Sequence, residues 1–457
     1  MRALASVATI RSEIGPTLRL AVPIMLGMLG YGLMFVVDVA MAGHLGETAL
    51  AASALASNLN YIPYVFGIGV VGAIPVYQSQ DNGAGVEASA PAILRHGMTL
   101  ALGLGLVTAA LTHAAVAGLP WLGSSPEVTA EAHDFFVIMA WAIVPGLAFH
   151  ALRGHRDAQH QPWISLAWLA AGILANIFLN WLWMFGHGGF PAMGLAGAGW
   201  ATLVSRCLML VGLWCTPGRG EVRWGDGWQL AVFRRLLATG WPAGLHSLSE
   251  VGIFAVVPVM AGWISATAQA AHQVAISTAS AAFMLPLGLG IAAGIRVGEA
   301  YGAKDPRKVR AVGFGALLLG GVMMAAYGLA MILLRPLLME TYGVAGTETA
   351  ALASSLLVFA AVWAPFDGVQ VVAAHLLRSV DRAAWASWSV FIVYWLICLP
   401  LALALAFPPG FRVLGLTVGR WGMGAAGIWV ALATGLMLVA LAMAWKFRQA
   451  TRAASAG

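Results

Sequence analysis

Long apolar runs separated by short polar stretches make up almost the whole sequence. Most runs have roughly twenty residues or more, the length that a helix needs to cross the hydrocarbon core of a bilayer. One polar stretch, PGRGEVRWGDGW, separates the sixth run from the seventh. The pattern predicts an all-α polytopic membrane protein with twelve transmembrane helices. The predicted spans lie near residues 17–42, 49–77, 92–118, 134–152, 162–185, 194–215, 237–260, 268–296, 312–334, 350–376, 384–407 and 423–445.

Composition agrees with this class of protein. Of the 457 residues, 60% are hydrophobic and 9% are charged, and the mean hydropathy is +0.84. A soluble domain of this length needs far more charged surface. The first residues lead into a long apolar run without a small-residue cleavage site, so we expect no cleavable signal peptide. The three cysteines have no metal-ligand spacing, and we expect them to be small core residues.

The positions of the basic residues predict the orientation. Twelve spans place both termini on one side, and of the 24 Lys and Arg only Arg335, Arg412 and Arg420 fall on the other side. By the positive-inside rule, the side that carries the remaining basic residues is cytoplasmic. We therefore expect a multi-pass protein of the cell inner membrane with cytoplasmic termini. The net charge of +6 then belongs to loops beside anionic lipid and does not indicate nucleic-acid binding.

The sequence contains an internal repeat. Pro23 and Pro242 are 219 residues apart. At the same offset Met41-Ala42-Gly43 matches Met260-Ala261-Gly262, Gly69 matches Gly288, and Gly83-Ala84 matches Gly302-Ala303. We therefore predict two six-helix bundles, residues 1–220 and 221–457. Transporters use such repeats to move one half against the other around a central site.

Three carboxylates fall inside predicted spans instead of in loops. Asp38 lies in the first span, Glu250 in the seventh and Asp367 in the tenth. A charged carboxylate at membrane depth is costly, so such residues usually face a cavity and have a function. The alternative is a neutral acid that only joins helices by hydrogen bonds. We interpret all three as candidate sites for coupling to a cation or a proton.

Polar residues that could accompany these carboxylates are visible in the sequence. Asn176 and Asn180 are four residues apart, so they share one helix face, and Asn180 is expected at a depth similar to that of Asp38. A carboxylate with amide oxygens can hold a proton, a small hard cation or an organic cation. If Glu250 and Asp367 lie close together, their mutual repulsion favours uptake of a proton or a cation.

Several segments resemble one known family. These are LAVPIMLGMLGYGLMFVVDVAMAGHLG, the repeat around WPAGLHSLSEVG with AAHQVA, and GGFPAMGLAGAGWAT. They resemble the multidrug and toxic compound extrusion (MATE) family, and the carboxylates with the two asparagines resemble its NorM-type branch. The resemblance covers essentially the whole chain. It implies two six-helix bundles around a V-shaped cleft, and antiport of cationic drugs against Na⁺ or H⁺.

The resemblance also implies roles for residues. Glu250 and Asp367 would form a cation site, which could hold Na⁺, and Asp38 with the two asparagines and Thr202 would form a first-half site linked to coupling or substrate. Trp363, one turn before Asp367, stands where related proteins often place a tyrosine, so the choice of ion stays open. We expect Trp363 to line the cleft.

The predicted function is therefore secondary active export of small cationic amphiphilic drugs or toxins. No cofactor other than a coupling ion, Na⁺ or H⁺, is expected, and we expect a monomer in the bilayer. A flippase for lipid-linked precursors is the main alternative, but it would need several cationic residues in its cleft. The sequence has no Walker motif, GxSxG or dinucleotide fingerprint, which argues against ATP-driven transport and hydrolase chemistry. A membrane-embedded enzyme would need a clustered catalytic set at one membrane face, and the sequence shows none. A structural scaffold would not explain three intramembrane acids.

Overall fold

The computed structural model describes residues 7–86, 89–122, 125–217, 227–413 and 415–453. Among these residues, twelve helical spans are long and apolar enough to cross a membrane, and each overlaps one of the predicted spans. Helices suit this environment because all their backbone hydrogen bonds are made within the segment. The predicted fold class, an all-α protein with twelve transmembrane helices, is confirmed.

The first six spans are built from seven α-helices. They are α1 (Val7–Gly43), α2 (Glu47–Val71), α3 (Ala73–Gly83), α4 (Ala90–Ala114), α5 (Pro126–Ala158), α6 (Pro162–Leu179) and α7 (Gly194–Cys215). A 3₁₀ turn, Ala115–Leu122, extends α4, and a wider π-helical turn, Asn180–Met184, extends α6. Helices α2 and α3 together form one span.

The last six spans are built from eight α-helices and a second π-helical segment, Ile392–Cys398, and one further helix, Arg335–Thr341, lies between the ninth and tenth spans. The helices are α8 (Leu230–Ile264), α9 (Ala266–Ala281), α10 (Met284–Gly302), α11 (Pro306–Leu333), α12 (Arg335–Thr341), α13 (Glu348–Ser379), α14 (Ala383–Phe391), α15 (Leu399–Ala406) and α16 (Ala425–Ala453). Two short antiparallel strands, β1 (Arg412–Val413) and β2 (Leu416–Thr417), pair between α15 and α16.

Polar residues mark where several helices begin. The Ser125 hydroxyl accepts a hydrogen bond from the Val128 amide at the start of α5. The Thr347 hydroxyl does the same for the Ala350 amide at the start of α13. Such caps satisfy amides that have no partner within the helix. The sequence therefore sets these helix starts locally.

The chain forms two compact units whose boundaries fall inside helices. The N unit is Leu26–Gly244, and the C unit is the described part of Met1–Met25 together with Leu245–Gly457. The two boundaries, after Met25 and after Gly244, are 219 residues apart, the same offset as the sequence repeat. The start of α1 thus belongs to the C unit, and the start of α8 belongs to the N unit. The division near residue 220, drawn from the repeat, stays a prediction about the duplication.

Each unit is organised around one central helix. In the N unit α5 packs against α2, α4 and α7, and in the C unit α13 packs against α10, α11 and α16. Glycines permit close approach in both: a Cβ at Gly368 would meet the Gly320 carbonyl and the Met324 side chain. Small residues at helix contacts are typical of membrane proteins, because packing drives helix association there. The central helices α5 and α13 are the fourth and tenth spans and correspond in the repeat.

Candidate functional site

The N unit contains a hydrogen-bonded cluster around Asp38. The Asn180 amide donates to Asp38 Oδ1 at 2.7 Å and to Asn176 Oδ1 at 3.2 Å. The Asn176 amide in turn donates to the Thr202 hydroxyl at 3.3 Å. Both asparagines and Thr202 are buried, at 0%, 0% and 3% exposure. The cluster therefore joins α1, the end of the fifth span and α7 through polar side chains inside apolar helices.

Local helix geometry places Asn180 in this cluster. Helix α6 ends at Leu179, and Asn180 begins the π-helical turn. Such turns are rare and often occur at functional sites. Asn180 Oδ1 is buried and accepts no hydrogen bond from the described residues. A carboxylate and an amide oxygen in this arrangement can accept hydrogen bonds from a protonated amine or coordinate a small cation.

Arg206 adds a positive charge to the N unit cluster. It lies one turn after Thr202 on α7 and interacts electrostatically with Asp38. The sequence argument assigned Arg206 to the side of the termini with other basic residues, but it lies inside the span Gly194–Cys215. Its position in an apolar run was the signal that could have identified it, because arginine within a span is costly and rare.

The C unit contains a second cluster around Glu250. The Gln370 amide donates to Glu250 Oε1 at 3.1 Å, and the Tyr394 hydroxyl donates to Gln370 Oε1 at 3.1 Å. The other carboxylate oxygen of Glu250 lies 3.9 Å from Nε2 of His246, one turn earlier on α8. Gln370 and Tyr394 are buried, at 0% and 2% exposure. Tyr394 lies in the π-helical segment of the eleventh span, the counterpart of the turn that carries Asn180.

Asp367 belongs to the same region of the C unit. It lies one turn before Gln370 on α13 and interacts electrostatically with Glu250. Arg378, nearer the end of α13, also interacts electrostatically with Glu250. Glu250 therefore interacts with both the Asp367 carboxylate and the Arg378 guanidinium. No group of three or more His, Cys, Asp or Glu side chains within the described ranges is arranged to hold a metal ion.

Trp363 is packed against another tryptophan. Its ring stacks on Trp429 with centroids 4.7 Å apart and an interplanar angle of 17°. Trp429 Nε1 donates to Nδ1 of His272 at 3.2 Å. Trp363 is 4% exposed. The phenol that position 363 lacks is present on Tyr394, which reaches Gln370 from another helix.

The structure brings together most of the residues singled out in the sequence. Asp38, Asn176, Asn180 and Thr202 form one continuous cluster. The depth argument pairs Asp38 only with the asparagines, and Thr202 is suggested by the family resemblance. Glu250 and Asp367 interact in the other unit. Sequence reasoning missed four polar neighbours, which are His246, Gln370, Tyr394 and Arg206. Gln370 and His246 could have been found from their one-turn spacing to Asp367 and Glu250, whereas Tyr394 had no local signal.

Known proteins are similar to this chain along nearly its whole length. The family model MatE matches twice, at residues 23–182 and 242–404, once in each half. A Probable multidrug resistance protein NorM of Bradyrhizobium diazoefficiens is 34% identical over 450 residues, covering 96% of this chain and 94% of that protein. A protein of the same description from Mesorhizobium japonicum is 35% identical over 443 residues, covering 94% and 92%.

Solved structures match the fold. The outward-facing conformation of a multidrug resistance MATE family transporter of the MOP superfamily superposes with a TM-score of 0.86 and 18% identity. The superposition covers 99% of this chain and 99% of that chain. At this identity the likeness establishes the fold.

Proposed function

The chain belongs to the MatE family, and from this premise we propose that it is a multidrug efflux transporter that exports organic cations in exchange for Na⁺ or H⁺. The names of the relatives, multidrug resistance proteins, support export of drugs. The protein is a multi-pass membrane transporter and not an enzyme. The distribution of Lys and Arg supports an inner-membrane location with cytoplasmic termini. We propose that the monomer is the working unit.

One observation carries the proposal. Asp38, Glu250 and Asp367 lie inside apolar spans. Asp38 accepts a hydrogen bond from Asn180, and Glu250 accepts one from Gln370. Both of these amide side chains also bond a second buried side chain. A carboxylate at the centre of a bilayer costs roughly 2.5–3.5 kcal/mol on insertion scales. A structural role would be served better by uncharged groups. Binding of a cation or a proton by these carboxylates would explain why the protein contains them despite this cost.

The two units are proposed to have different roles. Glu250 and Asp367 in the C unit would bind the coupling ion. Asp38 with its amide partners in the N unit would bind the organic cation or take part in coupling. Antiport requires that each ligand binds the two conformations with different affinity. Proton or Na⁺ binding at the C unit would favour one conformation, and drug binding would favour the other. Neither coupling ion is preferred by the donor set, which offers carboxylate and amide oxygens to both.

The proposal is tested by efflux of ethidium from proteoliposomes. A Na⁺ gradient and a proton gradient are imposed separately on the wild-type protein. In each case the ion concentration is higher on the side to which ethidium is exported. We expect one gradient to drive ethidium transport and thereby to identify the coupling ion. Glu348→Gln, which removes a carboxylate from the first turn of α13, is the control for loss of charge. Absence of transport under both gradients, with correctly inserted protein, would refute the antiport proposal.

A further inference from the structure

Arg206 is a charged residue inside a span of the N unit that the proposed mechanism does not yet use. It lies inside α7, twelve residues after the start of the helix at Gly194. Its Nη1 donates to the backbone carbonyl of Ala142 at 3.0 Å. Its guanidinium carbon lies 4.6 Å from the ring centroid of Tyr64 on α2. The side chain thus joins three helices of the unit while its charge rests on an aromatic face.

The ring of Tyr64 is a suitable site for a planar cation. A guanidinium over an aromatic face is stabilised by the ring quadrupole and by stacking, and the attraction increases when water is excluded. A planar organic cation shares two features with the guanidinium, a flat face and a delocalised positive charge. The position that Arg206 occupies on Tyr64 therefore shows where such a ligand would be accommodated.

Arg206 is also connected to Asp38. Thr202, one turn before Arg206, accepts a hydrogen bond from Asn176, and this amide network ends on the Asp38 carboxylate. Arg206 and Asp38 interact electrostatically. A cation attracted by Asp38 therefore enters a region in which the protein already holds a positive charge. Two like charges in a low-dielectric site repel strongly, so ligand and guanidinium compete.

A second arginine of the unit provides a contrast. Tyr64 contacts the edge of His150, with ring centroids 5.9 Å apart, and His150 stacks on Tyr31 at 5.2 Å. Arg153 lies over Tyr31 at the other end of this aromatic stack, at 5.6 Å, and is paired with Asp157 at 3.4 Å. Arg153 is thus held by a charge, whereas the short contacts of Arg206 given above are to a neutral carbonyl and a ring. The Arg206 guanidinium is the one that a ligand can displace.

We propose that Arg206 is a tethered competitor for the substrate: its guanidinium occupies the Tyr64 ring face near Asp38, and a planar organic cation binds there by displacing it. This inference rests on the proposed function, because it names how the N unit selects the exported cation. Planar, delocalised cations replace both the charge and the stacking of the guanidinium. Compact ammonium ions replace only the charge and bind less well. Arg206 thereby acts as a specificity-determining residue.

The test is equilibrium binding of ethidium, a planar cation, to the detergent-purified protein without any ion gradient. Arg206→Gln removes the competing charge but keeps a long polar side chain. We expect it to bind ethidium about tenfold more tightly than the wild type, which corresponds to about 1.4 kcal/mol. Arg206→Lys keeps the charge but loses the planar fork, and we expect a gain of about threefold. The lysine variant also serves if the glutamine variant folds poorly.

A matched control is available in the same unit. Arg95 is buried, donates to the Gly227 carbonyl at 2.7 Å and lies 5.6 Å from the Trp228 ring centroid. Arg95→Gln removes a guanidinium with the same kinds of contact, and we expect no gain in ethidium affinity. In Tyr64→Leu/Arg206→Gln the ring face is absent, so the gain of Arg206→Gln should disappear. This double-variant comparison separates the ring contact from a general change of charge.

Three results would overturn the inference. They are unchanged or weaker ethidium binding in both folded Arg206 variants, an equal gain in Arg95→Gln, or a gain that persists without the Tyr64 ring. A merely structural role for Arg206 predicts the first of these. The proposed function fails differently, through loss of gradient-driven efflux in the wild type. Wild-type efflux with no affinity gain in the Arg206 variants refutes this inference and leaves antiport intact.

Discussion

The two buried clusters differ in their balance of charge. In the N unit one carboxylate, Asp38, interacts electrostatically with one guanidinium, Arg206, and two amides complete the cluster. In the C unit Glu250 interacts electrostatically with a second carboxylate, Asp367, and with one guanidinium, Arg378. The direct hydrogen-bond partner of Glu250, Gln370, is neutral. The Glu250 cluster therefore carries one excess negative charge when its acids are ionised, and the Asp38 cluster carries none.

This difference indicates a division of labour. An uncompensated charge in a low-dielectric site is unfavourable until a counter-charge or a proton neutralises it. The Glu250 cluster would therefore favour a small cation or a proton, which supports the proposal that it binds the coupling ion. In the proposed mechanism the Asp38 cluster is already neutral, so an incoming cation would exchange with the Arg206 guanidinium. Two clusters built at corresponding places of a repeated fold would then serve the two sides of one exchange reaction.

The largest expected effect is loss of coupling when the C unit loses a carboxylate. In Glu250→Gln and Asp367→Asn the excess negative charge disappears, so the driving ion has no reason to bind. We expect gradient-driven ethidium efflux to fall at least about a hundredfold, because uncompensated buried charges are worth several kcal/mol. The measurement is initial efflux rate from proteoliposomes, with Glu348→Gln as control. Efflux above a tenth of the wild-type rate in both variants would contradict the assignment.

The next largest effect should appear at the N unit in binding. Asp38→Asn removes the charge that attracts the organic cation but keeps a group that can bond Asn180. We expect ethidium affinity to fall about tenfold, about 1.4 kcal/mol. The measurement is fluorescence titration in detergent, where no ion gradient contributes. Asp134→Asn, which removes an exposed carboxylate of the same unit, is the control. Equal ethidium affinities in the two variants would show that Asp38 is not part of the substrate site.

A packing change in the C unit should affect the two clusters unequally. Gly368 follows Asp367 directly, and a Cβ there would collide with the Gly320 carbonyl of α11. We expect Gly368→Ala to reduce stability by about 1–3 kcal/mol, the usual cost of overpacking. Thermal unfolding measures this loss, and ethidium titration should show N unit binding within about twofold of wild type. Gly15→Ala, where a Cβ meets no neighbour, is the control. An unchanged unfolding temperature would show that α11 and α13 pack less closely than the structure indicates.

The smallest expected effect concerns Tyr394. Its hydroxyl donates to Gln370 Oε1 and so orients the amide that bonds Glu250. In Tyr394→Phe one neutral hydrogen bond worth about 1 kcal/mol is lost. We expect the half-saturating concentration of the coupling ion to change about fivefold without loss of maximal efflux. Tyr342→Phe removes a hydroxyl from an exposed ring of the same unit as the control. A change in the maximal efflux rate alone would contradict a role for Tyr394 in ion binding.

Much of the fold was readable from the sequence because a bilayer imposes a simple rule. A segment that crosses it must be apolar and helical, so composition and run length predicted all twelve spans. The repeat offset of 219, anchored by Pro23 and Pro242, also reappears in the boundaries of the compact units. What the repeat did not predict is that the starts of α1 and α8 pack with the opposite half. That exchange depends on contacts between residues far apart in sequence.

The sequence by itself determined the class of protein, the number of spans and the three carboxylates that a bilayer makes costly. It also determined that Asn176 and Asn180 share a helix face, since this follows from helical periodicity. Only the tertiary structure decided that Arg206 interacts electrostatically with Asp38 and that Tyr394 reaches Gln370 from another helix. The physical reason is that these partners lie 24 to 168 residues apart. Their proximity depends on how helices pack, which no local pattern of residues encodes.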